Sequence, residues 1–262
     1  MVLDKVAILI KTFLRDEYLY ETVRTILKEM PEAQLIVVDD GHIPVMKTYL
    51  YHGLINEGHV VELCPFDSGF GYKSNRGAAL CTRPYLLIGS DDFDFHGARP
   101  GIEKLVAVLE AGAADIASGR VHNNRYEGRL TEVDGTVHET YIDLSHPCEE
   151  IPGIKYYPCD LTVNYSLICA SILGPGKIHW DDDVKIGGGE HGAFFVDVKR
   201  AGHRVVYVEG VNINEQRSKP MDPHYGAFRG RARQPERPCF DRRGVKQYYC
   251  FGGNPDISYG PK

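Results

Sequence analysis

Residues 85–95 read YLLIGSDDFDF: an apolar run that ends in three carboxylates within four positions, Asp91, Asp92 and Asp94. The run is short enough for a buried strand, and it stops where the acids begin. In an open α/β sheet, ligands bind at the carboxyl ends of the strands, so the acids fall where a ligand would sit. Close carboxylates repel unless a cation or a proton offsets them, and hard oxygen donors suit Mg²⁺ or Mn²⁺. An acidic turn in water is the bland alternative, since Asp favours turns. The rest of the chain decides between them.

Upstream, KVAILIKTF (5–13) reads as a first strand, and the apolar spacing from Asp16 to Met30 predicts a helix closed before Pro31. QLIVVDD (34–40) is a second strand ending in acid, Val60–Leu63 a third, and SNRGAALCT a short helix leading into Tyr85. The alternation predicts an α/β fold with a mostly parallel sheet flanked by helices. A helix near Gly101–Ala111 and a strand near Asp115–Ser118 continue it, and 121–158 loosens into a hairpin or loop insertion. Glu190–Ala201 reads as a helix after a Gly/Asp-rich loop, and His203–Val208 as the last strand. One domain, 1–215, is expected, its nucleotide-binding half about 1–95 and its acceptor half about 96–215. Residues 216–262 form a basic C-terminal tail, predicted to be irregular and to pack on or near the active site.

The chain has 262 residues, 43% hydrophobic and 25% charged, as expected of an ordinary globular protein. No run is long enough for a membrane span, and the N-terminus lacks a cleavable signal pattern, which predicts a cytoplasmic protein. Seven cysteines without a CxxC pair argue against a disulfide framework, and His146, Cys148 and Cys159 match no common zinc spacing. Net charge is −6, yet Glu215–Lys246 holds nine Lys/Arg against four Asp/Glu. Such a basic segment on an acidic body favours a phosphate-bearing partner.

Three strand ends converge: Lys11-Thr12-Phe13, Asp39-Asp40-Gly41 and Ser90 to Asp94. A carboxylate ending strand two suits a ribose or a uracil, but no GxGxxG follows strand one and no GxxxxGK[ST] occurs anywhere. GFGYKSNRGAAL (69–80) offers Lys73, Asn75 and Arg76 near a helix start, where donors suit a pyrophosphate. Glu190 and His191 stand where a GGG loop meets a helix. There the carboxylate can deprotonate an attacking hydroxyl, and His191 can orient it or coordinate the cation.

The ordered set KTFLRDE, IVVDDG, GFGYKSNRG, SDDFDF and GGEHGAFF resembles the GT-A glycosyltransferases, family 2 and the β-1,4-N-acetylgalactosaminyltransferase branch in particular, over roughly residues 5–215. The resemblance implies a metal-dependent inverting transfer from a nucleotide-sugar, a UDP-sugar by preference, with Mn²⁺ or Mg²⁺ as cofactor. It implies that Thr12, Arg15, Asp39, Asp40, Lys73, Arg76 and Asp91 bind the donor and that Asp92 and Asp94 bind the metal. Glu190 becomes the general base, with His191 beside it, and Asp160, Asn164 and Trp180 line the sugar and acceptor pocket. Two departures stand out. Ser90 occupies the first position of the family's DDD, so the working pair is Asp91/Asp92 or Asp92/Asp94. Where relatives carry a further histidine ligand after the last strand, this chain has Asn212, Asn214 and Glu215, with His224 as a substitute in the tail. The implied acceptor is a saccharide or a lipid-linked glycan. Modified bases of nucleic acid are an alternative suggested by the basic, tyrosine-bearing tail. A non-catalytic glycan- or nucleotide-binding module is the remaining one.

Overall fold

The computed structural model describes residues 2–122, 124–162, 165–185, 190–216, 223–231 and 237–251, and of Glu149, Glu190, Pro223, Arg229, Arg231 and Arg237 only the backbone. The first strands are β1 (Val6–Thr12), β2 (Gln34–Asp39), β3 (Val60–Leu63) and β4 (Tyr85–Ser90). They run parallel in the order β3-β2-β1-β4, with Thr12 beside Asp39 and Lys11 beside Ser90. The acidic ends of β2 and β4 therefore flank the end of β1. Every residue of β1 and β2 is buried, as in a parallel strand covered on both faces.

Beyond β4 the sheet becomes mixed. β5 is Phe93–Asp94, β6 Ile116–Val121, β7 Gly128–Val133, β8 Thr136–Tyr141, β9 Cys148–Ile151, β10 Ile154–Cys159, β11 Ser166–Cys169 and β12 Val205–Glu215. β11 inserts antiparallel between β4 and β6, and β12 continues parallel to β6, with β10 and β9 at the far edge. The long end of β12 carries Asn214 and Glu215 across to Asp94 and Phe93 of β5, tying the acidic segment to the other half of the sheet.

Helices α1 (Asp16–Glu29), α2 (Val45–Asn56) and α4 (Arg99–Glu110) pack on one face, where Leu19, Val23, Ile26, Leu54, Ile102, Leu105 and Val106 meet Ile8, Ile10, Leu35 and Val37. α3 (Phe70–Ala79) and α5 (Glu190–Arg200) flank the other face, and Phe194, Phe195 and Val198 of α5 pack with Leu9, Val38 and Ile88. The opposite parities along β1, Ile8 and Ile10 against Ala7 and Leu9, are the two-residue period of a strand feeding two cores.

Two elements differ from the sequence reading. The stretch between Asp40 and Val60, to which the sequence reading assigns no element, forms α2. Its apolar residues Val45, Met46 and Tyr49 are exposed while Lys47 is buried beside Tyr51 and Leu54, so the amphipathic signature is blurred. Past Glu215, where irregular chain was expected, the described residues form α6 (Pro223–Arg231), α7 (Arg237–Arg242) and β13 (Gln247–Tyr249). β13 pairs parallel with β8, completing a small sheet β13-β8-β7 with the insertion hairpin. No helix among the described residues is long and apolar enough to cross a membrane.

Candidate functional site

A cleft of about 620 Å³ opens at the carboxyl ends of β1 and β4. On its floor Arg15, which precedes α1, spans two carboxylates: Nη1 lies 3.1 Å from Asp91 Oδ1 and Nη2 2.5 Å from Asp92 Oδ2. Burial works against the Arg15 charge, but Asp91 and Asp92 outweigh it and raise its pKa. Tyr225 of α6 covers the same guanidinium, its ring centroid 5.3 Å away and its hydroxyl accepting from Nη1 at 3.4 Å. Burial pushes the Asp91 carboxyl up to about 6, with Arg15 opposing and Asp92 adding to the rise. Asp92 also accepts from the Ser90 hydroxyl at 2.5 Å, so the serine in place of an acid serves as a hydrogen-bond donor to its neighbour.

The end of β2 is wired inward. Asp40 receives Lys73 Nζ at 2.5 Å and the Gly69 N–H at 2.8 Å, and Lys73 also donates to the Thr12 carbonyl at 2.9 Å. Lys73 reaches the cleft, whereas Asp40 acts on it through that lysine. Asp39 faces away, held by Lys47 at 2.9 Å and the Tyr51 hydroxyl at 2.5 Å. The start of α3 is occupied as well. The Phe70 and Gly71 N–H groups donate to the carbonyls of Lys185 and Val184, and Asn75 exchanges hydrogen bonds with the Trp180 backbone. A Cβ at Gly71 would fall 1.6 Å from the Asp181 carbonyl oxygen, which is how close the two segments lie.

Of the residues singled out from sequence, Arg15, Lys73, Asp91, Asp92 and His191 line the cleft. Thr12 and Asp40 back it from behind. His191 stands on α5 edge-on to Phe70, with ring centroids 5.6 Å apart. Five predicted residues are not brought there. Asp39 is the first, because Lys47 and the Tyr51 hydroxyl hold its carboxylate on the α2 side of β2. Asp94 hydrogen-bonds to the His96 N–H at 3.0 Å and meets its ring at 2.7 Å, because the short β5 turns its side chain away from Asp92. Arg76 is on the exposed face of α3, paired with Glu62. Asp160 accepts from Lys199 at 2.7 Å and from the Leu130 N–H at 2.9 Å. Trp180 is buried against Phe194, stacked at 4.4 Å. Asn164, the GGG loop 187–189 and the side chain of Glu190 lie outside the described residues; the backbone of Glu190 opens α5, immediately before His191.

Sequence reasoning missed Glu139 and Tyr141 of the small sheet and noted Tyr248 only as one of the tyrosines of the basic tail; all three line the cleft. Glu139 accepts from the Tyr248 hydroxyl and from the Phe251 N–H, and burial pushes its carboxyl up. No local motif announces a strand pairing made across about 110 residues. The aromatic cluster in YYCF (248–251) was the available signal.

The donor set bears on a divalent cation. Among the described residues no group of three or more His, Cys, Asp or Glu side chains forms a cage. Mg²⁺-type sites rarely need one, since one or two carboxylates, waters and substrate phosphates complete them. Asp91 and Asp92 fit that partial set, and Arg15 neutralises them in the meantime.

Residues 7–149 match the family model described as glycosyl transferase family 2, more than half of the chain. The chain belongs to this family. It is 32% identical over 233 residues to mouse β-1,4 N-acetylgalactosaminyltransferase 2, covering 85% of this chain and 42% of that protein. The human β-1,4 N-acetylgalactosaminyltransferase 1 is 33% identical over 118 residues, 44% of this chain and 20% of the relative. The chain thus spans less than half the length of these relatives. Among solved structures, GalNAc-T7 with UDP, GalNAc and Mn²⁺ superposes at a TM-score of 0.61 and 15% identity, over 86% of this chain and 47% of that one. S. aureus TarS 1–349 in complex with UDP-GlcNAc does so at 0.56 and 12%, over 82% and 59%. These likenesses establish the GT-A fold.

Proposed function

We propose that this family 2 chain transfers a sugar from a nucleotide-sugar, a UDP-sugar by preference, to an acceptor hydroxyl with inversion. The observation that carries the reading is the Asp91/Asp92 pair with Arg15 on the floor of a cleft at the carboxyl ends of β1 and β4. The names of the relatives, the UDP and GalNAc of the GalNAc-T7 structure and the UDP-GlcNAc of the TarS complex support the donor class.

In the reaction, the acceptor oxygen forms a bond to the anomeric carbon while the bond from that carbon to the diphosphate oxygen breaks. The electron pair leaves with the diphosphate, and the acceptor proton passes to the carboxylate of Glu190, the residue whose backbone opens α5. His191 orients the incoming hydroxyl. Asp92, with Asp91, would hold Mn²⁺ or Mg²⁺, which would supply positive charge against the diphosphate oxygens. Lys11, Lys73 and Lys185 line the same cleft and add positive potential for the donor. Lys73 fixes the ends of β1 and β2 relative to each other, so the nucleotide meets a preformed surface.

Incubation with a panel of nucleotide-sugars and Mn²⁺ tests the reading. Slow release of the nucleoside diphosphate from a UDP-sugar is expected. No release and no thermal shift with any donor would leave a binding module, or neither function, in its place.

A further inference from the structure

The cleft has two unlike sides. Among the described residues, every lysine and arginine that lines it, namely Lys11, Arg15, Lys73 and Lys185, comes from the half that holds the carboxylate pair or from the 181–185 loop packed on α3. The described lining residues drawn from 121–162 and from 223–251 include no lysine or arginine and one acid, Glu139, and Glu215 at the end of β12 adds a further acid to the lining. That wall is aromatic. Tyr141 is half exposed and lies flat on Phe251, centroids 4.3 Å apart and planes 9° apart. Phe251 fits because residue 128 is glycine: a Cβ there would approach its ring to 2.7 Å. Tyr126, 40% exposed, stacks on no other ring among the described residues. Glu139 is held between the Tyr248 hydroxyl and the Phe251 N–H. Tyr248 in turn abuts Gly192, two residues past Glu190.

We propose that this wall is the acceptor subsite, that it takes a neutral pyranose ring, and that Tyr126 and Glu139 recognise it. The proposal deepens the glycosyltransferase reading and rests on it. A pyranose presents an apolar C–H face and a rim of hydroxyl donors. An uncovered tyrosine ring suits the first, and a carboxylate with lone pairs to spare suits the second. Glu139 is pre-ordered by its two protein donors, so binding would cost little side-chain entropy. The contact of Tyr248 with α5 would hold the wall in register with the helix that begins at Glu190. A nucleic-acid strand could stack on the same tyrosine, but its phosphates would meet a carboxylate and, among the described lining residues of this side, no lysine or arginine; Arg125, over the Tyr141 ring at 5.0 Å, is already paired with Glu127.

Saturation-transfer NMR on the whole chain tests the wall with the methyl β-glycosides of glucose, galactose and N-acetylglucosamine, and with a twelve-residue oligothymidylate as competitor class. Saturation of the ring C–H protons of at least one glycoside is expected. Tyr126→Ala and Glu139→Gln should each weaken that glycoside about fivefold to tenfold, the scale of one aromatic or hydrogen-bonded contact, while the thermal shift produced by UDP stays unchanged. Tyr126 is at the surface, so its truncation leaves the fold intact even if the Glu139 variant does not. No glycoside signal in a protein that binds UDP would overturn the proposal, as would an unaltered signal in Tyr126→Ala. Binding of the oligothymidylate that Tyr126→Ala abolishes would overturn the pyranose assignment. Failure to bind UDP at all would instead remove the underlying reading, and this proposal with it.

Discussion

Lys47 carries its charge at zero exposure, between Asp39 at 2.9 Å and Asp16 at 2.6 Å. Burial disfavours that charge, and the two carboxylates more than restore it, so its pKa is raised. Removing one partner of such a pair strands the other, so Lys47→Met should cost about 3–5 kcal/mol in urea unfolding. Arg76→Ala, which breaks an exposed pair with Glu62, should change stability by less than about 1 kcal/mol. Equal losses would contradict the burial argument. Asp91 gives a second test. Its carboxyl is ordinarily near 3.8 and is pushed up to about 6. Between those values the folded protein holds a proton that the unfolded chain has released. Its contribution to stability is therefore full below about pH 4 and falls by about 3 kcal/mol as the pH rises through 6. Asp91→Asn should flatten the stability profile across that window, and parallel profiles for the two proteins would refute the assignment.

At the scale of elements, Gly192 sets how closely α5 and β13 approach, since a Cβ there would lie 2.4 Å from the Tyr248 hydroxyl oxygen. Tyr248 is buried and bonded to Glu139, so it has little room to yield. Gly192→Ala should accelerate amide exchange in Gln247–Tyr249 by at least about tenfold and leave β1 and β4 unaffected; unchanged exchange would mean the contact is slack. The same elements show what the sequence can reveal. The first four strands were legible as short continuous apolar runs and α1 by its helical spacing, and Lys5–Phe13 and Asp16–Met30 end within a residue or so of β1 and α1. α2 was not, because its pattern is ruled by one buried lysine whose partners lie on β2 and α1. β13 was not, because three residues make a strand only against β8. The floor of the site was legible as strand-end acids, and Arg15 as part of KTFLRDE. That Asp94 and Arg76 turn elsewhere depends on the two-residue length of β5 and on Glu62 of β3, which no single stretch of sequence encodes.

For the molecule as a whole, the parallel half and the insertion with its C-terminal strand share one apolar cluster and both line the cleft. β12 joins them, running from the core beside β6 to the acidic segment beside β5. On the proposed function, such an arrangement would separate the charge of a diphosphate from an aromatic acceptor wall while keeping both within one cavity. The basic segment is partly neutralised in place: Arg242 pairs with Asp181 and Asp183, and Arg243 with Asp181 and Asp197. These pairs fasten α7 to the body instead of offering the two arginines to a polyanion. The central claim is that Asp91 and Asp92 make this cleft a donor site. It is tested most directly by the rate at which UDP is released from UDP-N-acetylgalactosamine or UDP-N-acetylglucosamine in the presence of Mn²⁺, comparing the natural chain with Asp92→Asn. Measurable release by the natural chain is expected, with a loss of about 100-fold or more in the variant, the scale of a removed electrostatic contact at a reacting centre. Equal release by the two proteins would contradict it.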